Sequence, residues 1–312
     1  VTLNCHATRD KQDHPLGLPD LNVTRFDLDL TLPPGLALGC ARFGSVNGAT
    51  PNEAMVLLDL AYHRGVRVFD TAASYGQGDS ERVLGRFARR YPDVCIVTKL
   101  GKIVPLKARL LQFAKPLLRA LGRRSSRASG AIRASRGDRL GTRFDLAYLK
   151  DQFAGSQQRL GLARVPVVLL HSPSAEVIAA GEALAFLDAE RRAGTIGLIG
   201  ISVDDAAAAK AALADPRVQV IQLPLAAGDD WAGAMLPTLK ACGKAVIARE
   251  IFRDADLGRS EGRAGRLFEA LQRVTQAEGV TTTLIGTIRR AHLDELLTLH
   301  AALTTQGPAR IE

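Results

Sequence analysis

The 312-residue chain has no run of 18 or more apolar residues, so none of its helices is expected to span a membrane. Cysteine is scarce. Cys5, Cys40, Cys95 and Cys242 are scattered, with no CxxC pair and no histidine at metal-ligand spacing. That pattern reads as four reduced thiols of a cytoplasmic protein rather than a disulfide frame or a zinc site, and no metal is expected. Residues 1–23 lack an apolar core, so they read as a flexible leader and not as a secretory signal, ahead of one domain over residues 24–312. No GxGxxG follows a strand-like run, and "GQGDSE" has the wrong spacing for that dinucleotide fingerprint.

Acidic residues are nearly missing from one place only. Residues 101–143 carry 12 lysines and arginines against a single acid, Asp138, while the rest of the chain has 29 basic residues against 31 acidic. The net charge of +9 therefore belongs to one segment and says little about the remaining surface. That segment has one aromatic residue, Phe113, and so no platform for stacking bases. Nucleic acid is not an expected partner. The composition of the whole chain, 46% hydrophobic and 23% charged, is that of an ordinary globular protein.

What the chain does have is rhythm. "TRFDLDLTLPPGLALG" alternates and turns at Pro33-Pro34-Gly35, which predicts a short hairpin leading into a strand near 36–39. "TPNEAMVLLDLAYHRG" carries a helix-start signal: Thr50 as cap, Pro51 in the first turn and Glu53 closing a capping box. Short apolar strands then recur at 66–70, 94–99, 165–170, 195–201, 218–223, 244–249 and 281–286. Amphipathic helices separate them at 79–90, 145–160, 176–193, 204–214, 231–242, 264–277 and 290–302. Eight strand–helix units in this length predict a (β/α)8 TIM barrel of parallel strands. One connection breaks the rhythm: the basic stretch 101–143, a long insertion after the third strand. It would leave from the active-site face. There it could serve as a lid, or as a dock for an anionic group: a phosphate-bearing substrate, an acidic carrier protein or a membrane surface.

In such a barrel the functional groups lie at the C-terminal strand ends. The second strand ends on Asp70, the third on Lys99 and the fourth on His171, with Tyr75 in the loop after Asp70. Singly, each has a structural explanation as a turn residue, a solvated lysine, a core histidine or a loop aromatic. On three successive strands they form a plausible acid–base group.

The residues "RGVRVFDTAASYGQGDSERVLGRF" resemble the signature of the aldo-keto reductases. The likeness continues through "VCIVTKLGK", "LKDQFAGSQQRLGLARVPVVLLHSPS", "RRAGTIGLIGIS", "VQVIQLPLAAG" and "LIGTIRRAHLDEL", over about residues 35–303. The resemblance implies an NAD(P)H-dependent oxidoreductase acting on a small carbonyl substrate, with NADPH as cofactor and NADH as the alternative. It implies Tyr75 as general acid, Lys99 lowering the Tyr75 pKa, Asp70 holding Lys99, and His171 hydrogen-bonding the carbonyl. It places Ser202 and Gln222 at the nicotinamide carboxamide, Arg249 near the pyrophosphate, and Gly286, Thr287, Arg289, Arg290 and Glu295 around the adenosine phosphate end.

Four positions depart from the family pattern: Val203, Leu225, Ile288 and Leu296 stand where Asn, an aromatic residue, Ser and Asn are frequent. Each departure removes a contact of about 1 kcal/mol, marking a divergent, bacterial-type member. Two other uses of the residues stay open. One is a non-redox lyase, dehydratase or isomerase with Tyr75 and Lys99 as its acid–base pair. The other is a regulatory binding protein built on the same barrel.

Overall fold

Short β-branched runs cannot bury both faces alone, and here they do so by closing on each other. In the computed structural model, which describes residues 31–103, 141–255 and 262–305, eight parallel strands form a closed barrel in chain order. They are β1 (Gly35–Gly39), β2 (Val68–Asp70), β3 (Cys95–Leu100), β4 (Val165–His171), β5 (Ile196–Ser202), β6 (Val220–Pro224), β7 (Ala245–Arg249) and β8 (Thr282–Ile285). β8 pairs with β1 to complete the ring. Alternation along each strand separates two apolar layers. Ala37, Val68, Val97, Leu169, Val220 and Ile247 fill the interior, while Leu38, Phe69, Ile96, Val168 and Ile221 face the surrounding helices.

Leu32 packs with the inner layer, and the Pro33 carbonyl accepts from Thr282 Oγ1 at 2.8 Å, so the chain enters across the bottom of the barrel. Most of the strand expected ahead of Pro33-Pro34-Gly35 lies outside the described residues, as do the leader 1–23 and the bulk of the basic insertion.

The helices follow their sequence signals. α1 (Pro51–His63) starts at the full capping box of Thr50 and Glu53. α2 (Asp79–Arg90) follows a 3-10 turn at Tyr75–Gly78, and α3 (Leu146–Leu160) is capped by Asp145. The single helix expected over 176–193 is two, α4 (Ala175–Ala180) and α5 (Glu182–Arg192), because Gly181 takes a left-handed φ of 75° between them. The ring is completed by α6 (Ala206–Ala214), α7 (Asp230–Ala241), α8 (Arg263–Thr275) and α9 (Arg290–Thr305).

α2 and α3 pack closely because Gly85 has no side chain. A Cβ there would lie 2.3 Å from the Leu160 carbonyl oxygen. Gly85→Ala is therefore expected to push the two helices apart and cost about 1–3 kcal/mol. Urea denaturation should show a lower midpoint; an unchanged midpoint would mean the helices separate freely.

Candidate active site

Inward-facing positions recur every second residue, and the stagger of a closed barrel lifts each strand relative to the last. Asp70 is level with Val97, two residues below Lys99; Lys99 is level with Leu169, two below His171. The three side chains thus climb from floor to rim. Asp70 and Lys99 are buried, and His171 is partly exposed. Ser202, Gln222 and Arg249 continue the inward set on β5, β6 and β7.

Lys99 Nζ donates to Asp70 Oδ1 at 2.6 Å and to the Thr71 carbonyl at 2.9 Å. It lies 5.0 Å from the centroid of the Tyr75 ring, and Tyr75 meets His171 edge to face at 5.8 Å. The structure therefore brings all four expected catalytic side chains together. His171 Nδ1 is buried without a hydrogen-bond partner among the described residues.

Ser202 and Gln222 also reach this cluster. Ser202 Oγ donates to Gln222 Oε1 at 2.9 Å, and Gln222 Nε2 donates to Asp70 Oδ2 at 2.8 Å. Both Asp70 oxygens are thus occupied, one by a charge and one by an amide. Arg249 comes to the rim but is tied down: it donates to the Val203 carbonyl at 2.8 Å and pairs with Asp204 and Glu250. At β8, Gly286 is exposed and Thr287 Oγ1 accepts from the Arg289 amide at 3.1 Å. The Arg289 and Arg290 side chains are exposed, with no ion-pair partner among the described residues. Glu295 instead meets Arg263 with both oxygens at 2.8 Å. Val203, Leu225 and Leu296 belong to the buried core, and Ile288 packs against it. These substitutions are accounted for by packing.

A second layer escaped the sequence reading. Thr71 Oγ1 donates to Ser80 Oγ at 2.8 Å, and Ser80 Oγ donates to the Cys40 carbonyl at 2.9 Å, fixing the residue whose carbonyl receives Lys99. Glu81 is fully buried, accepting from Thr98 Oγ1 at 2.7 Å and Arg159 Nε at 2.6 Å. Thr98 precedes Lys99 in β3, so this pair anchors the strand that presents the ammonium. One signal was available: Glu81 shares the face of α2 that carries Leu84 and Ala88, where a carboxylate must have a partner.

The electrostatics correct one expectation. Lys99 was expected to lower the Tyr75 pKa, but burial raises it and outweighs the downward pull of Lys99. Tyr75 is therefore a neutral phenol at pH 7. For Lys99, burial opposes the charge, yet Asp70 and then Tyr75 hold its pKa above the ordinary value. His171 is pushed well below the usual imidazole range, by burial first and then by the charges of Lys99, Lys102 and Arg249. Its ring is expected to stay neutral from pH 6 to 8, so its NMR ring resonances should not titrate near 6.5. Because the folded state resists this proton, His171 favours folding above about pH 6.5, and that contribution declines as pH falls. A histidine titrating at 6.5 would contradict the burial argument.

Among the described residues, no group of three His, Cys, Asp or Glu side chains could hold a metal ion, and no helix is long and apolar enough to cross a membrane. The sequence model of the Aldo/keto reductase family matches residues 35–254. The chain belongs to that family. As an aldo-keto reductase it is an oxidoreductase, and its (β/α)8 barrel is the family's fold. A D-threo-aldose 1-dehydrogenase of a Pseudomonas species is 28% identical over 252 residues, 76% of this chain and 71% of that protein. A Pseudomonas aeruginosa protein assigned to the aldo-keto reductases shares the fold with a TM-score of 0.68 at 21% identity, covering 91% of this chain and 99% of that one. An aldo-keto reductase of Klebsiella pneumoniae, solved with NADP and acetate, has a TM-score of 0.63 at 17% identity, over 90% of this chain and 93% of that one. The family match ends before β8.

Proposed function

We propose that this aldo-keto reductase is a cytoplasmic enzyme that reduces small carbonyl compounds with NADPH, using Tyr75 as the proton donor. The observation that carries this is the buried Asp70–Lys99 pair set beneath the Tyr75 ring, with neutral His171 beside it. NADPH, when bound, supplies a hydride to the carbonyl carbon. The protein's own groups handle the proton. Tyr75 keeps its phenol protonated at neutral pH and gives that proton to the carbonyl oxygen. Lys99 steadies the phenolate left behind, and Asp70 holds the ammonium charged and aimed. His171, neutral and with a buried free nitrogen, is suited to orient the carbonyl oxygen through a hydrogen bond.

The residues present fit the cofactor. Arg289 and Arg290 offer two exposed guanidinium groups beside Gly286, where an added Cβ would meet nothing within 4 Å. That cradle suits an adenosine phosphate and favours NADPH over NADH. Thr287 lines the same turn, and Glu295 would act there indirectly by orienting Arg263. Ser202 and Gln222 would hold the carboxamide, each keeping spare hydrogen-bonding capacity beyond the bonds described. Arg249 would meet the pyrophosphate by exchanging a carboxylate partner for it. The NADP-bound Klebsiella pneumoniae relative supports this choice of cofactor. The cytoplasmic placement rests on the free, buried thiols of Cys40 and Cys95, the latter with its pKa raised to about 12 by burial. Nothing in the site favours a lyase or a non-enzymatic scaffold.

The test is NADPH binding followed by fluorescence, then oxidation of NADPH in the presence of a panel of aldehydes and ketones. Saturable binding and stoichiometric turnover are expected, and Arg289→Ala/Arg290→Ala should weaken NADPH by about tenfold more than NADH. No binding at millimolar NADPH would overturn the proposal.

A further inference from the structure

We propose that Lys102 receives an anionic group of the substrate, so that this enzyme prefers small carbonyl compounds carrying a carboxylate or a phosphate. The proposal rests on the carbonyl-reductase reading above and narrows its substrate class.

Lys102 stands three residues beyond Lys99, where the chain leaves β3 at the rim of the barrel. Its backbone is held from several sides. The Lys102 carbonyl accepts from Tyr148 Oη and from Gln152 Nε2, both at 3.1 Å, and Gln152 Oε1 accepts from the Gly101 amide at 2.6 Å. An antiparallel bridge joins Lys102 to Thr142. The Ile103 amide donates to the Gly141 carbonyl at 2.8 Å, and the Arg143 amide to the Gly101 carbonyl at 2.7 Å. Gly101 adopts a φ of 109°, and a Cβ there would strike the Phe144 ring at 2.1 Å. Gly101 thus ends the strand alternation and lets α3 close on the stem. Lys102 is therefore presented from a fixed point.

Among the described residues, the other charges at the ends of β3 and β7 and in the stem are paired, while Arg289 and Arg290, past β8, are assigned to the cofactor. Lys99 is paired with Asp70, Arg249 with Asp204 and Glu250, Arg143 with Asp145, and Arg253 with Asp229, Glu250 and Asp254. Lys102 is half-buried and has no carboxylate partner among the described residues. Its positive charge is felt at His171, the group placed to hold the carbonyl. A partly desolvated ammonium without a counter-ion is unfavourable by itself, and an anion arriving with the substrate would relieve it. Among the described residues, Lys102 thus stands as an unneutralised cation near a neutral imidazole and a neutral phenol, apart from Arg289 and Arg290, which are assigned to the cofactor. That arrangement selects for a substrate with a negative group away from its reacting carbon.

The test compares 4-carboxybenzaldehyde with its methyl ester, which differ at the charge and leave the aldehyde alike. The wild-type enzyme should favour the acid by about tenfold in kcat/KM. Lys102→Met should remove that ratio through a higher KM for the acid, and Lys102→Arg should restore it. Adding 4-formylphenyl phosphate separates the two anions: whichever is preferred should lose most in Lys102→Met. Equal kcat/KM for acid and ester in the wild type, or an unchanged ratio in Lys102→Met, would overturn the proposal. Calorimetric binding of the acid and the ester gives the same comparison without turnover. A protein that binds the acid selectively through Lys102 but reduces neither compound would refute the reductase reading and leave the anion contact standing.

Discussion

Tyr75→Phe is expected to lower kcat by about 10³-fold, within the range that a positioned general acid supplies. The substitution removes one hydroxyl and little else. A phenyl ring can keep the edge-to-face contact with His171 at 5.8 Å and the place 5.0 Å from Lys99 Nζ. Stability and NADPH affinity should therefore stay near wild type while turnover collapses, and steady-state NADPH oxidation beside fluorescence titration measures both. The pH dependence has a definite sign. Burial raises the Tyr75 pKa, so the reducing form of the phenol persists as the medium turns alkaline. The wild-type reduction rate should show no loss from this group between pH 6 and 9. A loss of less than tenfold in Tyr75→Phe would remove Tyr75 from the role of acid.

Asp70→Ala carries the second large effect, on stability as well as activity. It strands the Lys99 ammonium in a buried site and leaves Gln222 Nε2 without its acceptor. Removing one partner of a buried ion pair costs about 3–5 kcal/mol, because the surviving charge has lost its compensation. Replacing both partners, as Asp70→Leu with Lys99→Met, should recover much of that loss while activity stays abolished. Chemical denaturation across pH gives a further check. In the wild type the folded Lys99 pKa is raised, so its contribution is whole below the unfolded value of about 10.4 and is lost as pH climbs through the folded value. In Asp70→Ala burial dominates, the folded lysine prefers to be neutral, and stability should instead increase as pH rises from 8 to 10. A flat profile in the variant would mean that water enters and solvates the ammonium.

The barrel was legible because its signals are local. Strand and helix periods, the Thr50–Glu53 capping box and the glycine stops act within a few residues, and the eight strand ends follow from counting them. The same counting found Asp70, Lys99 and His171, since a residue two places beyond an inward valine or leucine also faces inward. The Gly181 break in the helix expected over 176–193 was missed because the flanking sequence keeps its helical pattern on both sides. Ser80 and Glu81 lie within the family-like stretch, yet their partners Cys40, Thr98 and Arg159 are far apart in the chain, and no local rule pairs them.

By itself, the sequence determined the element order, the barrel class, the confinement of positive charge to one segment, and the family of the chain. Only the tertiary structure decided what each polar group does. Gln222 braces Asp70 from 152 residues away, Arg249 spends its charge on Asp204 and Glu250, and Val203, Leu225 and Leu296 serve the core. It also decided that burial outweighs Lys99 at the Tyr75 phenol, and that Lys102 stands at the rim without a counter-ion among the described residues. The reason is physical. Periodicity and capping depend on neighbours along the chain, whereas desolvation and charge balance depend on every group that the closed barrel gathers around a point.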